Sequence, residues 1–209
     1  MSFVTKLILV ALLVYGWQHQ VELYRLWRDW QGNKQQPVRL VTADGCGSLC
    51  TDAQVFLQQQ GIAFENWQAN QDGVMAEVQT YTDLVGVPML IVGNEAYLGY
   101  SPLLWLSAIA EETGRPLLNP QQQNLLAPHF NNNAPQLVLY GTSWCGYCKE
   151  LRTWLKENHI HYTDIDVERH PESSYLSKGL GISGYPTVFW GRTHLFGSVN
   201  DIERQIKQL

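Results

Sequence analysis

The second half of this chain repeats the first at a constant offset of 98 positions. Cys50 falls on Cys148; Ala53, Phe56 and Leu57 fall on Leu151, Trp154 and Leu155; Ile62 falls on Ile160. Gly86-Val87-Pro88 falls on Gly184-Tyr185-Pro186, Gly93 on Gly191 and Gly99 on Gly197. Glycine and proline mark positions with special backbone needs, and cysteine marks special chemistry, so their coincidence reads as one structural unit written twice. The 209 residues then divide into two domains of roughly 75–80 residues, each with a modest core. Eight Trp and ten Tyr supply large apolar contacts for such cores.

Within each copy the pattern alternates between short apolar runs and helical periodicity. In the first, a strand at Val38–Thr42 leads through Cys46 and Cys50 into a helix to Gln60, a strand near Ala63–Gln68 and a helix ending near Tyr81. Val87-Pro88 precedes a strand at Met89–Val92 and a short strand around Tyr97. Ser101 as N-cap with Pro102 at the first position then opens a helix. The second copy runs strand, cysteine motif, helix, strand (His161–Asp166), helix (Ser173–Leu180), strand (Thr187–Trp190), strand (His194–Phe196) and helix (Asn200–Gln208). This order predicts an α/β fold in which each copy is a four-stranded mixed sheet flanked by helices. Residues 37–113 form the first domain and 136–209 the second. Residues 114–135, rich in Asn, Gln and Pro, read as a linker whose Leu117, Leu118, Leu125, Leu126 and Phe130 favour packing on a domain.

Residues 1–30 read differently. Leu7 to Trp17 carries no charge and follows Lys6, but it is far shorter than the ~20 residues of a standard span. It matches a signal-peptide core, yet no small-x-small cleavage site follows it. An uncleaved signal anchor is expected, lengthened by Phe3, Val4 and a snorkelling Lys6, with Tyr15, Trp17, Tyr24, Trp27 and Trp30 at the membrane–water interface. Arg25, Arg28 and Lys34 beyond the apolar run favour a cytoplasmic C-terminal part, whereas a short positive start before an apolar core favours export; export is the expectation taken, which places the chain in the cell membrane with its soluble part outside the cytoplasm. A net charge of −5 and a pI near 5.6 argue against nucleic-acid binding.

The four cysteines come as two close pairs, which suits redox or metal chemistry better than a disulfide framework. Cys145-Gly146-Tyr147-Cys148 follows the apolar run Leu137–Tyr140 and opens a helix. Unpaired backbone N–H groups at a helix start stabilise an anion, so a thiolate there is favoured. Such a thiolate attacks a disulfide, and the second cysteine resolves the mixed disulfide. Tyr147 lies between the two cysteines and so borders a substrate surface or packs at the helix start. Cys46-Gly47-Ser48-Leu49-Cys50 has one more intervening residue. Cys50 holds the resolving position, and the insertion pushes Cys46 outward. A disulfide remains feasible at this spacing, and Pro88 keeps its place. A second redox pair, a stabilising disulfide and a decayed copy all fit Cys46, Cys50 and Pro88. The six histidines show no metal-ligand spacing and suit surface or interface roles. A four-cysteine zinc site would leave both proline motifs unexplained, so no metal is expected. Asp164 and Asp166 read as solvated strand ends or as carboxylates near the dithiol.

The element order, Trp144-Cys145-Gly146-Tyr147-Cys148 and Gly184-Tyr185-Pro186-Thr187 together resemble the thioredoxin superfamily. The short domain and Gly197-Ser198-Val199-Asn200-Asp201 make the chain most similar to glutaredoxins. The resemblance implies thiol–disulfide exchange with Cys145 as nucleophile, Cys148 as resolving thiol and Pro186 as a cis-proline that presents the backbone of Tyr185 to a cysteinyl peptide. It implies substrate contacts from Trp144, Tyr147 and Tyr185, and a turn from Gly197 and Ser198 through Asn200 to Asp201 where glutathione is held. Partners are then protein thiols and disulfides, with glutathione as a co-substrate and no cofactor required. Thr142, where glutaredoxins carry a basic residue, Ser198 in place of a second glycine, and thioredoxin-like Trp144 depart from the family pattern. A docking module with a structural disulfide and an iron–sulfur carrier using Cys145 are the competing readings.

Overall fold

The computed structural model describes residues 38–209. The expected signal anchor lies outside the described residues, and among these no helix is long and apolar enough to cross a membrane.

The first half is built on β1 (Val38–Thr42), β2 (Phe64–Gln68), β3 (Met89–Val92) and β4 (Glu95–Leu98), ordered β2-β1-β3-β4. β1 and β2 run parallel, and the other pairs are antiparallel. Helix α1 (Ser48–Gln59) joins β1 to β2, the short α2 (Val74–Val78) precedes β3, and α3 (Pro102–Thr113) follows β4. α1 buries Cys50, Ala53 and Leu57, a spacing that lines one helical face. Ala53 and Leu57 pack with Leu40, Leu90, Trp105 and Ile109 into one core.

The second half repeats this order. β7 (Leu137–Gly141), β8 (Thr163–Asp166), β9 (Thr187–Trp190) and β10 (Thr193–Leu195) are arranged β10-β9-β7-β8, with β7 and β8 parallel and the other pairs antiparallel. α5 (Gly146–Glu157) buries Cys148, Leu151 and Leu155, the positions 98 residues beyond Cys50, Ala53 and Leu57. α6 (Ser173–Leu180) and α7 (Val199–Ile206) complete the half.

The segment between the halves is structured. Asn119 caps α4 (Pro120–Leu126) through a reciprocal pair of hydrogen bonds with Gln122. A 3₁₀ turn (Ala127–His129) leads into a hairpin of β5 (Phe130–Asn131) and β6 (Ala134–Pro135). Its two turn residues, Asn132 and Asn133, both adopt positive φ, at 49° and 66°, which a two-residue turn between twisted strands requires and which Asn tolerates. Leu125 and Leu126 are buried.

The halves share a core. The residues of α3 from Pro102 to Ile109 are all buried. Trp105, Leu106, Ala108 and Ile109 face the first half, whereas Leu103 and Leu104 cluster with Tyr140, Leu176, Leu180 and Phe189 of the second. Leu103 lies so close to Gly179 that a Cβ there would meet a Leu103 methyl carbon at 2.5 Å. Ser101 donates a buried hydrogen bond to the Leu180 carbonyl at 2.9 Å. Arg192 donates to the Ser107 hydroxyl at 3.0 Å, pairs with Glu111 and lies over the Phe130 ring.

Candidate functional site

A four-residue loop, 142–145, joins β7 to α5, and the helix cap is its last residue, Cys145. Its backbone is extended (φ −65°, ψ 115°), and it caps α5 with its own sulfur, which accepts the Cys148 N–H at 3.1 Å. Cys145 and Cys148 form a disulfide with a Cα separation of 5.2 Å, within the range such bonds require. The contact that caps the helix also places sulfur among the free N–H groups of the first turn, where negative charge is most stabilised. The Cys145 sulfur is therefore already seated on a hydrogen-bond donor.

The strand register brings the other pieces to this sheet end. Tyr140 on β7 faces Thr187 on β9, so Pro186 stands beside the start of the cysteine loop. Leu195 on β10 faces Val188, so the turn at Gly197 reaches the same end on the other side of Pro186. The Tyr185–Pro186 peptide bond is cis, and the Thr187 hydroxyl donates to the Gly184 carbonyl at 2.8 Å, bracing the turn between them.

Three aromatic residues, Trp144, Tyr147 and Tyr185, adjoin the cysteines or Pro186 in the chain. Trp144 is 63% exposed and Tyr147 68% exposed, unusual for residues so large, while both sulfurs are buried. The Trp144 indole N–H donates to Glu168 at 2.9 Å, and its ring meets Tyr185 edge to face at 6.2 Å. Glu168 was not among the sequence expectations; a loop carboxylate 24 positions away leaves no local pattern.

The Gly197–Asp201 turn is held together by its own side chains. Ser198 and Asp201 form a capping box at the start of α7, with the Ser198 N–H donating to Asp201 at 3.0 Å and the Asp201 N–H donating back to the Ser198 hydroxyl at 3.3 Å. The Ser198 hydrogen bonds, aided by Arg204, hold the Asp201 carboxyl below its ordinary pKa. Gly197 has φ 108° and a Cβ there would strike Asp201, so this position requires glycine. Asn200 is exposed.

Asp164 and Asp166 are engaged in local hydrogen bonds. Arg152 binds Asp164 through two hydrogen bonds, at 2.7 and 2.9 Å, and donates to the Thr142 carbonyl. This pairing raises the Arg152 pKa. Asp166 accepts the N–H groups of Glu168 and Arg169. Among the described residues, no group of His, Cys, Asp and Glu is placed to hold a metal ion.

The expectation of surface or interface histidines fails at His129. His129 is fully buried, with Nδ1 2.6 Å from the Gly191 carbonyl and Nε2 2.8 Å from the Tyr140 hydroxyl. A carbonyl can only accept, so Nδ1 carries the proton and Tyr140 donates to Nε2. Burial lowers the His129 pKa to about 4 and raises that of Tyr140. His194 stacks on Phe189 at 4.7 Å and lies against Phe196, and burial lowers its pKa to about 4 as well.

The first half carries a second disulfide in the corresponding place. Cys46 and Cys50 are bonded across a Cα distance of 5.7 Å. Cys50 is the third residue of α1, as Cys148 is of α5. The Val87–Pro88 bond is cis, and Val41 faces Met89, so Pro88 stands beside the end of β1.

Two sheets of one order, each with a disulfide at a helix start, define a thioredoxin-type α/β protein. The glutaredoxin family profile matches residues 137–195. A glutaredoxin of Pseudomonas aeruginosa is 30% identical over 64 residues, 30% of this chain and 76% of that protein. The chain belongs to the glutaredoxin family. A Mycobacterium tuberculosis relative whose name also carries the word glutaredoxin is 50% identical over 34 residues, 16% of this chain; the chain spans only 40% of that relative's length. The solved holo form of glutaredoxin C1 from Populus tremula x tremuloides overlaps 41% of this chain and 85% of its own at 19% identity, with a TM-score of 0.34.

Proposed function

We propose that this protein is a thiol–disulfide oxidoreductase whose active dithiol is Cys145 and Cys148. The observation that carries this reading is the Cys145 sulfur at the cap of α5, accepting the Cys148 N–H. In the reduced enzyme the Cys145 thiolate attacks a substrate disulfide and forms a mixed disulfide, releasing one substrate thiolate. Cys148 then attacks Cys145, the mixed bond breaks, and the second substrate thiol leaves as the 145–148 disulfide closes. Two electrons pass to the substrate, and an external thiol pair restores the dithiol.

Protein disulfides and glutathione mixed disulfides are the substrates in this reading. The open aromatic rim of Trp144, Tyr147 and Tyr185 supports a peptide occupant, and the Gly197–Asp201 turn beside Pro186 supports a glutathione occupant. The shared sheet order and the common position of Cys50 and Cys148 support two tandem glutaredoxin-like domains, residues 37–113 and 136–209. The uncharged run Leu7–Trp17 supports a membrane anchor that places the soluble part outside the cytoplasm. A membrane-impermeant thiol reagent labelling Cys145 in intact cells checks that placement.

The exchange reading is tested by two variants. Cys145→Ser abolishes reduction of a mixed disulfide, while Cys148→Ser accumulates a covalent adduct on Cys145 visible by mass. A Cys145→Ser protein that works at the normal rate refutes the reading.

A further inference from the structure

We propose that Cys46–Cys50 is a second thiol–disulfide exchange site, entered through Cys46 by an external dithiol. Four observations converge on it. The pair sits at the same helix position as Cys145–Cys148, with Cys50 as the third helical residue. Pro88 flanks it across the β1–β3 register, and Gly99 donates to the Pro88 carbonyl at 2.9 Å, fixing that strand end. The two sulfurs are unequally reachable, since Cys50 is buried and Cys46 is partly exposed. The segments at this end carry bare aliphatic side chains, Leu49 at 53% and Val85 at 72% exposure, an apolar rim without the aromatic rings of the other site.

A purely stabilising role explains these features poorly. A crosslink stabilises less the shorter the loop it closes, with a logarithmic dependence, and this one joins residues only four apart. The loop is instead shaped to present Cys46. Gly45 and Gly47 both take left-handed conformations, φ 82° and 69°, with open space where a Cβ would stand. Gly47 holds the cap position of α1, so no side chain closes the first turn. Cys46 is thereby moved off the helix cap and lacks the N–H contact that Cys145 enjoys.

The chemistry follows from that asymmetry. A donor thiolate attacks Cys46, a donor–Cys46 bond forms, and the 46–50 bond breaks with its electron pair on Cys50. The leaving sulfur lies in the first turn of α1, where negative charge is stabilised, and it then takes up a proton. The donor's second thiol attacks the mixed disulfide, closes the donor disulfide and releases Cys46 as a thiol. The chain gains two electrons and two protons, and the donor is oxidised. Cys46 has no counterpart to the N–H that caps the Cys145 sulfur, so the two pairs are entered differently.

The test uses the full chain carrying Cys145→Ser and Cys148→Ser, so it is blind to the other dithiol. It is equilibrated with dithiothreitol and then with oxidised glutathione, alkylated and weighed. The expected result is a gain of two alkyl groups under reduction and none after reoxidation, with circular dichroism unchanged. A short pulse with a monothiol, quenched in acid, places the donor on Cys46 and the alkyl group on Cys50. Peptide mapping of the unmodified chain in the same buffers gives the same opening of 46–50, and decides the question should the double variant misfold. A pair that stays closed until denaturant is added, or a donor found on Cys50, overturns the proposal.

Discussion

Cys148 rests directly against the backbone of Gly141. A Cβ on residue 141 would lie 2.9 Å from the Cys148 sulfur and 3.2 Å from an Arg152 guanidinium nitrogen. The disulfide pins that sulfur, and the Asp164 pairing pins Arg152, so neither neighbour can retreat cheaply. Gly141→Ala is therefore expected to cost about 1–3 kcal/mol, the usual penalty for overpacking, and to slow closure of the 145–148 disulfide. Urea denaturation and the rate of single-turnover oxidation measure the two effects.

Trp144 gives a prediction of the opposite kind. Its ring is exposed and held only by Glu168 and Tyr185, so Trp144→Ala is expected to change stability by no more than about 0.5 kcal/mol. Loss of an aromatic contact with substrate lowers kcat/KM for a peptide disulfide by roughly two- to tenfold. Glu168→Gln keeps an acceptor for the indole and retains most of the activity. Steady-state kinetics on a fluorescent peptide disulfide distinguishes them; equal activity in the wild type and Trp144→Ala removes Trp144 from the substrate surface.

His129 makes stability depend on pH. Its folded pKa is about 4, because burial disfavours the cation, against about 6.5 in an unfolded chain. Between those values the unfolded state binds the extra proton. Stability is thus complete above about pH 6.5, falls as pH drops through this window, and has lost roughly 3 kcal/mol below about pH 4. His194 adds a shift in the same direction. His129→Gln preserves one donor and one acceptor without the titration, so its urea midpoint should fall less steeply between pH 7 and pH 4. Parallel curves for the two proteins refute the assignment.

Ser101→Ala removes the buried hydrogen bond that crosses from one half to the other. The Leu180 carbonyl is left without that donor, at an expected cost of about 1–3 kcal/mol. Thermal unfolding by circular dichroism should show one transition at a lower temperature, not a split into two.

Much of this was legible in the sequence. The 98-residue repeat carried the element order of both halves, and Ser101-Pro102 marked the start of α3. The offset alone sets Cys50 and Cys148 at equivalent helix positions. The α4 helix was also written there, since Asn119, Pro120 and Gln122 spell a capping box, but the surrounding Gln and Asn residues made the segment look like a linker. His129 was invisible because its partners, Tyr140 and Gly191, lie 11 and 62 positions away and no periodic signal joins them. Trp144 with Glu168 and Arg152 with Asp164 escaped for the same reason: a pairing between loops or across layers has no sequence period. The nearly unbroken apolar run Leu103–Ile109 did hint at burial on every side.

That run leaves the molecule without a seam. A helix whose first two turns have no wet side cannot be divided between two owners, so neither half can be excised, swapped or lost without stripping the other of its inner wall. Two pairs of sulfur atoms are consequently mounted on one frame.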